Sequence, residues 1–133
     1  MKRRYNRMFN PPAAVVRVEI RRPGTGEAVE IDAKLDTGAD VCGLPEWAVA
    51  TLDLLPLRLV RAAGFSGLLE ETPIYRMDLE LAGRALEDVE VLATRRPYAI
   101  IGRNVLRTLV ARFDGPLETV ELRWPRPRRR RRS

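Results

Sequence analysis

The sequence predicts an all-β single domain with one or two short helices. Apolar and polar residues alternate along several short runs, Gly, Pro and Asp turn signals punctuate the chain at close intervals, and only two stretches carry helix signals. At 133 residues the chain has room for one modest core, which excludes a two-lobed enzyme with separate substrate and cofactor domains.

The first strand pair is read from Val16, Val18 and Ile20 alternating with Arg17, Glu19 and Arg21. After the turn Pro23-Gly24-Thr25-Gly26 the pattern resumes, with Val29, Ile31, Ala33 and Leu35 set against Glu30, Asp32 and Lys34. This is a β-hairpin with one wet face. Its second strand runs into Asp36-Thr37-Gly38-Ala39-Asp40, where alternation stops at a turn-forming glycine, so a loop follows. Pro45 to Leu52 is expected to make one or two helical turns, proline standing near the first helical position where its missing N–H does no harm. Leu57 to Ala62 reads as a strand, Gly64-Phe65-Ser66-Gly67 as a tight turn, and Tyr75, Met77, Leu79 and Leu81 as the next alternating run, giving a larger hairpin with a mobile tip. Gly83 turns the chain into Leu86 to Leu92. Ala99 to Ile101 forms a short apolar strand ending at Gly102, and Asn104 is expected to cap a short helix reaching Val110. Asp114-Gly115 is the last turn signal before a strand over Thr119 to Leu122. The total is seven to nine short strands, with no internal repeat.

Composition removes several classes of chemistry. Histidine is absent, which excludes imidazole acid–base chemistry, the common serine and cysteine triads and most zinc sites. The single cysteine, Cys42, forms no disulfide within the chain and reads as a small buried residue. No run reaches the roughly 20 apolar residues needed to span a bilayer, and the apolar stretch after the basic start is too short for a signal peptide. The expectation is a cytoplasmic protein with no membrane partner. The net charge of +6 is concentrated at one end: seven of the 24 basic residues are Arg123, Arg126 and Arg128 to Arg132, leaving 17 basic against 18 acidic residues in the rest. Residues 1–14 read as a basic N-terminal arm, 15–124 as the folded domain, and 125–133 as a disordered Pro/Arg-rich tail. The Arg128 to Arg132 run is suited to non-specific polyanion contact or to solubility alone.

Asp36-Thr37-Gly38 stands at the mouth of a strand, preceded by apolar Leu35 and followed by small Ala39, so its carboxylate is held on a rigid element while remaining reachable. The tripeptide alone carries little weight. Two further blocks accompany it: the Gly64 to Gly67 tip, and Ala99-Ile100-Ile101-Gly102-Arg103-Asn104-Val105-Leu106. In this order and at these separations the three blocks resemble the retropepsin-like (retroviral-type) aspartic proteases, over about Val15 to Leu122.

The resemblance implies a single-lobe, closed β-barrel-like acid protease fold, active as a symmetric homodimer in which each copy supplies one catalytic Asp36. It implies that Thr37 donates its hydroxyl across the dimer and that Gly38 allows close backbone approach to the peptide. Ala39 and Asp40 would contact the substrate backbone, and Gly64, Phe65, Ser66 and Gly67 would form a flap over it. Tyr98 and Ile100 would line apolar side-chain pockets. Arg103, paired with Asp40, and Asn104 would support the loop. No metal or cofactor is implied. The chemistry needs two copies because a lone carboxylate with a pKa of about 4 is a poor base, whereas two within hydrogen-bond distance share one proton. One then takes a proton from water while the other donates to the scissile carbonyl. The expected function is therefore an aspartic endopeptidase acting on a peptide or protein substrate. Against it stand a non-catalytic dimerisation or peptide-binding module on the same fold, and polyanion binding through the arginine tail.

Overall fold

The structure is a computed structural model that describes residues 1–24, 26–63 and 69–127. Ten strands and two short helices follow in the order β1 (Lys2–Arg4), β2 (Val15–Arg21), β3 (Ala28–Leu35), β4 (Cys42–Pro45), α1 (Glu46–Thr51), β5 (Pro56–Ala63), β6 (Leu69–Leu81), β7 (Arg84–Thr94), β8 (Ala99–Ile101), α2 (Arg103–Leu106), β9 (Val110–Asp114) and β10 (Thr119–Arg123). Six of them close a barrel in the order β2-β3-β8-β4-β7-β6, because β6 pairs back onto β2 through Glu19↔Glu80, Ile20↔Leu79 and Arg21↔Asp78.

The long β6 links the barrel to a hairpin that extends from it within one seven-stranded sheet. Its second half pairs with β7 inside the barrel, while its first half leaves the barrel and pairs with β5, Leu59 facing Pro73 and Ala63 facing Leu69. The strands that the alternation identified are those with one buried face. Val16, Val18 and Ile20 of β2, Ile31, Ala33 and Leu35 of β3, and Met77, Leu79 and Leu81 of β6 all point into one apolar core. Val120 and Leu122 of β10 and Val105 of α2 join it, and among the described residues no polar or charged side chain is buried.

Three strands lie outside the sequence expectation. Strand β4 reads Cys-Gly-Leu-Pro and is buried on both sides, so it shows no alternation. Strands β1 and β9 belong to a separate three-stranded sheet, β1-β10-β9, where β1 is wholly exposed and exists because Lys2, Arg3 and Arg4 pair with Glu121, Val120 and Thr119. The ends of the chain are thus laced together, with Met1 also donating to and accepting from Leu122. The second helix is shorter than expected. It stops at Leu106, with Gly102 rather than Asn104 at the capping position, and Val110 already starts β9. Pro45 closes β4 and caps α1 from outside. Of the expected tail, 125–127 continue past β10 without regular structure, and the Arg128 to Arg132 run lies outside the described residues.

One feature of the topology builds the site. Strand β8 lies between β3, to which it runs parallel, and β4, to which it runs antiparallel. The segment 36–41 that joins β3 to β4 therefore has to cross over the end of β8, where Gly102 follows Ile101.

Candidate active site

Asp36 leaves the barrel at the end of β3, directly after buried Leu35. Its backbone N–H donates to the Ile101 carbonyl (2.9 Å), which ties the start of the loop to β8, and its carbonyl accepts from Ala39 N–H (3.2 Å), closing a tight turn. The carboxylate Oδ1 accepts from Gly38 N–H (2.9 Å), an aspartate turn that fixes the side chain while leaving it half-exposed. A Cβ on Gly38 would lie 3.1 Å from that same oxygen, so the glycine keeps room for the carboxylate.

Helix α2 locks the loop from behind. The first N–H groups of a helix have no partner within it. Here the Arg103 N–H donates to the Ala39 carbonyl (2.8 Å) and the Asn104 N–H to the Asp40 carbonyl (3.2 Å). The Arg103 guanidinium then reaches over the loop, donating to the Thr37 carbonyl (3.2 Å) and to Asp40 Oδ1. The Arg103–Asp40 pair is exposed, Asp40 at 80%, so its charge attraction contributes about 0–1 kcal/mol and its value lies in holding shape. Gly102 is pressed hardest: a Cβ there would sit 2.6 Å from the Val41 carbonyl carbon and 3.0 Å from the Ala39 oxygen.

Asn104 does not cap its helix. Its Oδ1 accepts from Cys42 N–H (3.1 Å) and from the Cys42 thiol (3.2 Å), while its Nδ2 donates to the Glu90 carbonyl (3.0 Å). One side chain thus joins α2, β4 and β7 beneath the loop. The thiol also receives the Gly102 N–H at 3.4 Å. Cys42 was legible as a small buried residue, but its place under the loop carried no sequence signal.

Burial pushes the Cys42 thiol from its ordinary 9.0 up to about 11, the bonds from Gly102 and to Asn104 opposing this only in part. Because the folded value is raised, stability is intact below pH 9.0 and falls as pH rises towards about 11, where the unfolded chain sheds a proton that the folded chain keeps. Urea unfolding at about pH 8 and about pH 10.5 is expected to show the wild type losing about 2 kcal/mol more than Cys42→Ala over that interval. Equal losses would contradict the burial argument.

The remaining candidates divide. Thr37, Gly38 and Asp40 are exposed around Asp36, and Ala39 is half-exposed. Ile100 stands half-buried on the outer face of β8, next to β3, and half-buried Tyr98 immediately precedes that strand. Phe9, from the N-terminal segment, meets Tyr98 edge-on, with ring centroids 4.9 Å apart. Gly64, Phe65, Ser66 and Gly67 lie outside the described residues, but the arms that lead to them are placed. Arg58 of β5 reaches across β6 to grip Glu90 of β7 with two hydrogen bonds (2.7 and 3.1 Å), which holds the Glu90 carboxyl below the usual carboxylate range. Among the described residues no helix is long and apolar enough to cross a membrane.

Solved structures of one kind resemble this chain. A retropepsin-like aspartic protease from Rickettsia conorii matches over 92% of this chain and 88% of its own, with a TM-score of 0.65 and 14% identity. EIAV protease complexed with the inhibitor HBY-793 matches over 71% and 86%, with a TM-score of 0.52 and 24% identity. The foamy viral protease-reverse transcriptase in complex with an RNA/DNA hybrid matches over 71% of this chain with a TM-score of 0.57 and 20% identity, and this chain spans 12% of that longer protein. No family profile matches the sequence, and neither does any curated protein. The closed six-stranded barrel, together with these structural likenesses, gives this chain a retropepsin-like fold.

Proposed function

We propose that this chain is an aspartic endopeptidase that works as a symmetric homodimer, with Asp36 from each copy facing the other across the two-fold axis. The observation that carries the reading is the locked loop: Asp36 is fixed by Gly38 and Ile101, and the loop is clamped by Gly102, Arg103 and Asn104 from α2. A half-exposed carboxylate held this firmly on a rigid barrel is suited to meet a twin at fixed distance.

In the dimer the two carboxylates share one proton, because charges this close do not both ionise. The ionised one takes a proton from a water between them. The protonated one donates to the scissile carbonyl oxygen as the tetrahedral intermediate forms. Thr37 steadies the paired loops, and Ala39 and Asp40 meet the substrate backbone. Tyr98 and Ile100 receive the side chains of an extended peptide next to the cut.

The test is digestion of a diverse peptide mixture at acidic to neutral pH, with new termini identified by mass spectrometry and particle mass measured alongside. Cleavage at internal bonds by a dimer is expected. A particle that binds peptides and never cuts them would turn the reading to a binding module on the same fold.

A further inference from the structure

Lysine 34 sits where an ordinary solvated lysine would not need to be. Along β3 the core takes Ala33 and Leu35, so Lys34 projects to the outer face, two residues ahead of Asp36 in the loop that follows. Lys34 is in register with Ile100 on the neighbouring β8, and Tyr98 precedes that strand on the same side. Lys34, Ile100 and Tyr98 therefore share one half-buried patch at the end of β3, where the chain passes into Asp36.

The N-terminal segment adds a wall. An Asn6↔Ala13 bridge folds 6–13 back on itself, and Phe9 from this hook packs edge-on against Tyr98. The Lys34 ammonium lies over the Phe9 ring, 5.7 Å from its centroid. An aromatic face orients a cation without neutralising it. Among the described residues the ion pairs involve Arg7, Arg17, Arg21, Arg22, Arg58 and Arg103, and no carboxylate pairs with Lys34.

We propose that Lys34, positioned by Phe9, recognises an acidic side chain of the substrate, most favourably glutamate, beside the scissile bond. This rests on the proteolytic reading and narrows it. Glutamate fits the patch in both parts: its methylenes pack along Ile100 and Tyr98, and its carboxylate meets an ammonium whose charge is not otherwise spent. The sequence suggested wholly apolar pockets. The lysine changes the substrate class those pockets take.

The experiment compares kcat/KM for matched peptides that differ only by Glu, Gln or Lys at the residue next to the cut, with wild type, Lys34→Met, Lys34→Glu and Phe9→Leu. Wild type is expected to favour Glu over Gln by on the order of tenfold, with the advantage shrinking as salt is raised. It is expected to vanish in Lys34→Met, to turn towards Lys in Lys34→Glu and to weaken in Phe9→Leu. Wild-type cleavage with no preference for Glu, or a preference that survives in folded Lys34→Met, overturns the assignment and leaves the proteolytic reading standing. No cleavage of any peptide overturns both. The wild-type ratio needs no variant, so a variant that fails to fold leaves the test intact.

Discussion

Asp36→Asn is expected to lower peptide cleavage by on the order of 10³-fold or more while leaving the fold in place. Asparagine has the same shape and keeps an oxygen to accept the Gly38 N–H that fixes the side chain at 2.9 Å. It neither takes a proton from water nor gives one to a carbonyl, so both halves of the proposed reaction are lost. Because Asp36 is half-exposed, the substitution is expected to change unfolding free energy by less than about 1 kcal/mol. Kinetics and urea unfolding on the same preparation check the two halves together. Retained activity would remove Asp36 from the chemistry, and lost activity with a lost fold would leave the chemistry unassigned.

Gly102→Ala is expected to damage stability and activity at once. The added methyl would lie 2.6 Å from the Val41 carbonyl carbon and 2.7 Å from its oxygen, which are backbone atoms of the crossing loop and cannot swing aside. The loop has to lift away from β8, loosening the Arg103 and Asn104 hydrogen bonds that clamp it. A cost of roughly 2–4 kcal/mol is expected. A shift of about 1 Å at Asp36 would further lower kcat/KM by about 100-fold in the molecules that stay folded. Gly115→Ala is the matched control, since nothing lies within 4 Å of a Cβ there. Equal midpoints for the two variants in urea unfolding would contradict the crossing-loop account.

How much of this was legible in the sequence follows from burial. β2, β3, β6 and β7 were readable because each has one face in the core, so Val16-Arg17-Val18-Glu19-Ile20 carries its own fold assignment. β4 is buried on both faces and shows no period, and β1 is three basic residues whose only reason to be a strand is a partner at Thr119 to Glu121. Asp36, Arg103 and Asn104 were visible as residues worth naming because their blocks are compact in sequence. The partners of Asn104 were not, since Cys42 is 62 residues away and a helix-capping role explains an asparagine near a helix start equally well. Phe9 over Lys34 left no trace at all: a phenylalanine in a basic arm and a lysine in an alternating strand become neighbours only through the hook at 6–13.

The central claim, that one active site is shared by two chains, is tested most directly by refolding wild type together with Asp36→Asn at a series of ratios and measuring cleavage per total protein. If both carboxylates are needed, activity falls with the square of the wild-type fraction, to about a quarter in an equal mixture. A straight-line fall, with about half the activity left at equal mixing, would mean that each chain works alone and would contradict the account.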